Sequence, residues 1–396
     1  YMLENLEKYK DDKQALELIS ALSVNCHLTE FIFKETTKET KALQYLTDKC
    51  ESGKTNEMEI ACLACYRPLS SLKNKDQIFH DLAKNQDLSA MLDIHIRQPK
   101  ELEEIRPTIK SLTRIDDKTS SKVQSQYEKN PYPRWDGYST LERPQDENLW
   151  GKKAKILNAG CGTGQEAINL AVTYPDAEIT AVDLSLSSLS YAIMKAKQYG
   201  ISNISFYHGD ILKLGELDQK FDLITSSGVL HHMKDPLAGW QVLNSLMKPG
   251  GSMRIALYSK HARTAVTKAR NVIAEHNLGS NNDTIKTFRT ELEAHIGKKA
   301  YESLTGYRDF FSLSEFRDLI FHVQEHQFDI PEIKDCLDKL DLKFVEFSTN
   351  PDMIRRFKNK YNDEDSKYDL DKWHEFELKN PDTFSAMYHF VCERKQ

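Results

Sequence analysis

Apolar residues recur three and four positions apart through the first 115 residues, in "DDKQALELISALSVNC", "HLTEFIFKETTKETKALQYLTDKC", "NEMEIACLACYRPLSSL", "KDQIFHDLAKNQDLSAMLDIHI" and "PKELEEIRPTIKSLTRI". That spacing collects them on one helical face, so the pattern predicts a succession of helices with no strand alternation. No repeat of 33 or 34 residues emerges from it. Residues 116–150 break the rhythm. A short helix over 120–128 gives way to a connector, because Pro131 and Pro133 in "NPYPRW" forbid a continuous helix.

From residue 155 short apolar runs alternate with helical stretches. "AKILNA", "AEITAVDL", "ISFYHGD", "FDLITSSG" and "SMRIALYS" read as strands, and "GQEAINLAVTY", "SLSSLSYAIMKAKQYG" and "DPLAGWQVLNSLMK" as helices between them. Alternation at this spacing predicts an α/β fold, a doubly wound parallel sheet with helices on both faces. Residues 260–340 return to helical spacing, and "DLKFVEFS" and "AMYHFVCER" read as two last strands. The expected domains are a helical N-terminal domain over 1–115, a connector over 116–150, and an α/β domain over 151–396 with a helical insert at about 260–340.

Hydrophobic residues at 39% supply a sizeable core. No apolar run approaches the roughly 18 residues of a membrane-spanning helix. Lys and Arg total 54 against 60 Asp and Glu, a net charge of −6, which makes nucleic acid a poor partner. Seven scattered cysteines, an odd number, form no disulfide framework and point to a reducing, cytoplasmic setting. The chain begins at Tyr1 rather than Met, which leaves a removed segment or a further N-terminal domain open.

Candidate chemistry begins where the first long strand runs into Gly160-Cys161-Gly162-Thr163-Gly164. Glycines here let the backbone turn tightly and a ligand approach closely, with a helix N-terminus behind it. A dinucleotide fingerprint G-x-G-x-x-G is excluded because Gln165 occupies its third glycine position, and a P-loop is absent. Asp183 ends the next strand, where a carboxylate can accept both hydrogen bonds of a ribose diol. Gly209-Asp210 ends the third strand and Ser226-Ser227-Gly228 the fourth.

In order, "KILNAGCGTGQEA", "AVDLS", "HGDIL", "FDLITSSGVLHHMKDP" and "LMKPGGSMRIALYS" resemble the motifs of class I S-adenosylmethionine-dependent methyltransferases, over about residues 151–260. More narrowly, "SSKVQSQYEKNPYPRW", "GYRDFFSLSEFRDLIFHVQEHQFDIP" and "DLDKWHEFELKNPDTFSAMY" resemble a bacterial methyltransferase family often found fused to tetratricopeptide repeats, although no repeats are evident here. The resemblance implies a seven-stranded Rossmann-like sheet with an antiparallel last strand, and S-adenosylmethionine as cofactor. It implies that Gly160, Gly162 and Gly164, with Cys161 and Gln165 in the same loop, pack against the methionine portion and ribose. Asp183 binds the ribose hydroxyls and Leu184 lies near the adenine. Asp210, after Gly209, meets the adenine amino group with Ile211 beside it, and Ser227 and Gly228 pass under the reactive methyl.

Weaker signals concern the acceptor. His231 and His232 follow the fourth strand, where a base near neutral pH can act; the competing reading is helix capping or packing. Tyr127, Asn130, Tyr132, Arg134 and Trp135 precede the first long strand as a cover whose aromatic rings can hold a sulfonium. Tyr307, Arg308 and Asp309 lie in the insert, expected to overhang the strand ends. His322 and His326 are four apart on one helical face, with Glu325 adjacent, but no third ligand is identifiable, so a packed face is favoured and no metal is expected. Cys62 and Cys65 read as buried small residues rather than a zinc pair, and the run 263–270 as a solvated face. The resulting expectation is a cytoplasmic methyltransferase acting on an oxygen or nitrogen of a protein, or alternatively of a small metabolite. A non-catalytic cofactor-binding scaffold is the rival from another class. The helical regions are the expected surface for any homo-oligomer.

Overall fold

The computed structural model describes residues 3, 5–135, 137–140 and 153–395. The last ten residues of the expected connector, 141–150, lie outside them. The chain divides into two compact units, residues 1–104 with 268–321 and residues 105–267 with 322–396.

The first unit is helical. Its core is built from helices Lys13–Leu28, Thr37–Glu51 and Glu57–Ala64, with Leu16, Ile19, Leu43, Leu46, Leu63 and Met91 buried together. Helix Glu57–Ala64 is buried on every side from Met58 onward, so it lies at the centre, with the buried Glu59 paired to Lys49. Asn56 starts it, accepting from the Glu59 N–H at 2.9 Å while Glu59 accepts from the Asn56 N–H at 3.1 Å. Cys62 is buried there, and the Cys65 thiol donates to backbone carbonyls. The single helix expected from "KDQIFHDLAKNQDLSAMLDIHI" is broken into short pieces that end in a π turn over Asp93–Arg97. Pro99 follows directly, and its missing N–H and its ring disrupt the ordinary ladder one turn back.

Part of the insert belongs to this unit rather than to the α/β domain. The Leu313 N–H donates to the Thr29 carbonyl at 3.2 Å, the Ser314 N–H to the Glu30 carboxylate at 2.6 Å, and the Arg289 guanidinium lies 5.4 Å from the Phe33 ring. Such sequence-distant contacts leave no local trace in the hydrophobic pattern.

The second unit is an α/β layer structure. Its strands are β1 (Lys110–Ser111), β2 (Lys155–Ala159), β3 (Glu178–Asp183), β4 (Ile204–His208), β5 (Phe221–Ser227), β6 (Met247–Tyr258), β7 (Leu342–Ser348) and β8 (Met387–Arg394). They form one sheet in the order β1-β4-β3-β2-β5-β6-β8-β7. β1 to β6 run parallel, and β8 is antiparallel to both β6 and β7. Seven strands follow the expected order; the eighth, β1, is an addition within residues read as helical. Two exposed residues carry no alternation, so pairing with Tyr207 and His208 was not legible. The core gathers Leu157, Val182, Ile224, Trp240, Ile255 and Tyr388, each worth about 1.5–3 kcal/mol when fully buried. β2 lies between β3 and β5, so the chain order reverses there and a crevice opens beyond its carboxyl end. No helix among the described residues is long and apolar enough to cross a membrane.

Candidate functional site

The glycine loop continues the β2–β3 ladder before turning. The N–H groups of Gly160 and Cys161 both donate to the Val182 carbonyl, at 2.8 and 3.0 Å. Gly160 and Gly164 take positive φ values of 78° and 86°. A Cβ at Gly160 would lie 2.4 Å from a Val229 methyl, and one at Gly164 2.5 Å from the Ala192 Cβ, so both positions require glycine. Gln165 then opens the helix Gln165–Thr173. Cys161 is a buried small residue whose thiol is pushed up by burial.

Asp183 brackets this loop. One carboxylate oxygen accepts from the Gly162 N–H and the other from the Ser185 N–H, both at 2.8 Å. Burial raises its pKa to about 6, and the Glu128 charge adds to the rise. Glu128 itself accepts from the Leu186 N–H at 2.6 Å and pairs with Arg106 at 2.9 Å. Leu184 is half-buried, and its carbonyl is 3.1 Å from His208 Nε2. Asp210 is buried and accepts from the Leu212 N–H at 3.0 Å, with Ile211 buried beside it. Its own N–H donates to Thr113 Oγ1 at 2.7 Å, and a Cβ at Gly209 would meet the same oxygen at 3.1 Å.

Two contributors escaped the sequence reading. Thr113, just beyond β1, reaches this strand end only because β1 pairs with β4. Glu166 accepts from Asn158 Nδ2 at 3.0 Å and from the Ser227 hydroxyl at 3.1 Å, so it joins the ends of β2 and β5. Burial raises its pKa, and Arg254 opposes the rise. An acid in the first turn of a helix usually complements the helix dipole, so its position alone carried no signal. Gly228 has φ 74° with open space where a side chain would stand.

The connector crosses the loop. The Thr163 hydroxyl donates to the Pro133 carbonyl at 2.5 Å, and the Trp135 indole N–H donates to the Thr163 carbonyl at 3.1 Å. The Tyr132 carbonyl lies 3.4 Å from where a Gly162 Cβ would be, and Arg134 is half-buried between these anchors. Trp135 was expected to face an acceptor. It is buried instead, stacked on Tyr199 at 6.1 Å and hydrogen-bonded through its carbonyl to the Tyr191 hydroxyl at 2.8 Å. Its role in this arrangement is to pin the connector.

At the carboxyl ends of β5 and β6 a column of rings forms. Tyr127 lies 5.8 Å from His322, His322 stacks on His232 at 3.6 Å, and His231 stacks on Tyr258 at 3.7 Å. The Arg263 guanidinium covers the other side of Tyr258 at 3.6 Å and is paired with the buried Glu325 at 2.7 Å. Arg263 is therefore an interior residue, not part of a solvated face. His322 and His326 share no helical face, because the helix Leu313–Phe321 ends before them.

The two candidate bases differ. His231 is fully buried, and its Nδ1 accepts from the Tyr258 N–H at 3.2 Å, which assigns the proton to Nε2. Burial, with His232 and Arg263 nearby, holds it well below the usual imidazole range. His231 is thus a neutral wall residue rather than a base. In His232, Nδ1 is 2.7 Å from the Gln324 carbonyl, so Nδ1 donates and Nε2 is the acceptor. Tyr307 and Arg308 lie in the helical unit, where Arg308 pairs with Glu315 at 2.9 Å and burial raises Glu315 to about 7.

Comparison with known proteins agrees with this geometry. Residues 151–305 match the family model of a methyltransferase domain. An uncharacterized protein of Synechococcus sp. is 30% identical over 241 residues, covering 57% of this chain and 56% of that one. The demethylmenaquinone methyltransferase of Staphylococcus aureus is 26% identical over 147 residues, covering 34% of this chain and 60% of that one. The structure of PKMT2 from Rickettsia typhi in complex with AdoHcy superposes with a TM-score of 0.48 at 18% identity, over 62% of this chain and 51% of that one. The chain spans little more than half the length of the first curated relative it matches. The α/β unit thus has a doubly wound sheet of the class I methyltransferase type, and residues 151–305 carry a methyltransferase domain.

Proposed function

We propose that the chain transfers a methyl group from S-adenosylmethionine to an oxygen or nitrogen nucleophile by in-line displacement. The observation that carries this reading is the bracket of Asp183 onto Gly162. It places a carboxylate beside a glycine loop at the point where the strand order reverses. The residues fit the cofactor: Gly228 leaves open space where a side chain would stand, Asp183 keeps lone pairs beyond its two backbone bonds, and Asp210 and Ile211 close the next strand end. When bound, S-adenosylmethionine supplies a methyl on a sulfonium, an excellent leaving group.

The protein's own part is then chiefly alignment, which can contribute roughly 7–11 kcal/mol to lowering the barrier. The connector anchored by Trp135 and Thr163 screens the loop from water. In this reading His232 takes a proton from a protonated acceptor, supported by its Nδ1 bond to the Gln324 carbonyl and by the ring stack with His322, which Tyr127 contacts.

The acceptor class we infer is a protein. The helical unit supports this with an open cleft of about 510 Å³, walled by Leu22, Phe31, Phe33 and Tyr66 beneath Lys34 and Lys38. The resemblance to repeat-fused methyltransferases points the same way. A metabolite acceptor is the alternative, favoured by the small-molecule methyltransferase among the relatives. Methyl-labelled cofactor incubated with the chain and a size-fractionated lysate separates the two. Protease-sensitive label in the macromolecular fraction supports a protein acceptor, and label only at low mass supports a metabolite. Absence of S-adenosylhomocysteine formation with every fraction overturns the enzymatic reading in favour of a binding scaffold.

A further inference from the structure

Three side chains with metal-ligand chemistry converge just beyond the carboxyl end of β6. His261 sits in the turn that follows the strand, and His374 and Glu377 are three residues apart on the helix Leu370–Lys379. Residues at that spacing share a helical face. One nitrogen of each imidazole and one carboxylate oxygen of Glu377 lie within 4.8 Å of one another. A cation with bonds of about 2.1 Å in tetrahedral geometry needs its donors about 3.4 Å apart, a separation that small side-chain rotations reach from here.

Each group is held in place by the fold. The turn carrying His261 is fixed at its start, because the Ser259 N–H donates to the Ala386 carbonyl at 3.1 Å and the Lys260 N–H to the Phe328 carbonyl at 2.8 Å. Glu377 is 1% exposed, and its two oxygens accept from the Tyr388 hydroxyl at 2.8 and 3.0 Å. The Ser259 hydroxyl adds a longer bond at 3.4 Å. A carboxylate has about four acceptor positions, so these donors orient it without exhausting it. His374 Nδ1 is buried with no hydrogen-bond partner among the described residues, an unmet polar demand of the kind a missing ligand leaves. Asp329 adds negative charge close enough to bear on both His374 and Glu377, and Lys260 partly balances it at 3.2 Å. His261 is exposed, so the cluster opens to solvent on its side.

We propose that His261, His374 and Glu377 form a site for one divalent transition-metal cation of the zinc class, with a remaining position open to solvent. Two imidazoles and one carboxylate suit zinc, cobalt or iron(II), whereas calcium and magnesium seek oxygen ligands. The cation ties the helix Leu370–Lys379 to the end of β6, and the hydroxyls of Tyr388 and Ser259 hold the carboxylate ligand. The site does not depend on the methyltransferase reading.

The test uses the full chain, freed of metal by a chelator and titrated with cobalt(II) followed by zinc(II). The expected result is one cobalt per chain, with visible absorption of a four- or five-coordinate nitrogen and oxygen site that zinc abolishes. His261→Ala and His374→Ala each weaken cobalt binding at least about tenfold, while Cys65→Ser leaves it unchanged. His261 is exposed, so its variant keeps the fold, checked by circular dichroism. No binding overturns the proposal. So does binding that survives both histidine variants, or that shows thiolate charge-transfer absorption lost in Cys65→Ser.

Discussion

His232 lies flat against His322, with ring centroids 3.6 Å apart and planes 22° from parallel. Two imidazoles in van der Waals contact cannot both carry a charge without strong repulsion, so the pair carries at most one positive charge. Replacing His322 with Phe keeps the stack and removes the repulsion. We expect His322→Phe to shift the acidic limb of the rate–pH profile upward, because His232 then protonates more readily. A profile unmoved by His322→Phe places the proton transfer elsewhere.

His231 makes stability pH-dependent. Its folded pKa lies well below the unfolded value near 6.5, so the unfolded chain binds more protons below that value. Stability is therefore full above about pH 6.5 and falls as pH drops below it. Denaturant unfolding at pH 7.5 and pH 5.5 measures the loss. His231→Asn, unable to gain a proton, shows a smaller loss over the same interval, and an equal loss assigns the effect to other groups with lowered pKa values such as His389.

Asp183 makes ligand affinity pH-dependent as well. With its pKa raised to about 6, it is ionised at neutral pH and gains a proton as pH falls through 6. A protonated carboxyl accepts fewer hydrogen bonds, so S-adenosylhomocysteine affinity falls below pH 6, by up to about tenfold per unit. In Asp183→Asn the affinity is weak throughout and this dependence is flat. Quenching of Trp135 fluorescence provides the readout.

Gly164 carries two separate constraints, a positive φ of 86° and a separation of 2.5 Å between the position its Cβ would take and the Ala192 Cβ. Gly164→Ala is expected to cost about 2–5 kcal/mol from left-handed backbone and overpacking together. Adding Ala192→Gly relieves only the steric part, so the double variant recovers part of the loss. Full recovery in the denaturation midpoint would show that the backbone contribution is absent.

Much of the candidate site was legible because its motifs are local. Gly160, Gly162, Gly164, Asp183 and Asp210 each sit at the end of a strand that its own apolar run announces, and strand ends are where such sheets bind ligands. What escaped depends on long-range pairing. Thr113 reaches Asp210 only through a two-residue edge strand, and Glu166 matters because Asn158 and Ser227 lie on neighbouring strands. Arg263 looked solvated because nothing nearby in sequence pairs with it, whereas Glu325 stands 62 residues on. Trp135 was recognised as part of a cover, but its aromatic partners, Tyr191 and Tyr199, are on a later helix and turn it inward.

The most direct test of the central claim is a calorimetric titration of the full chain with S-adenosylhomocysteine, wild type against Asp183→Ala, at pH 7.5. The account predicts one site per chain in the wild type and no measurable binding in the variant, with the circular dichroism spectrum unchanged. Equal affinity in the two proteins would contradict it, because the bracket between Asp183 and the glycine loop would then not be the cofactor site.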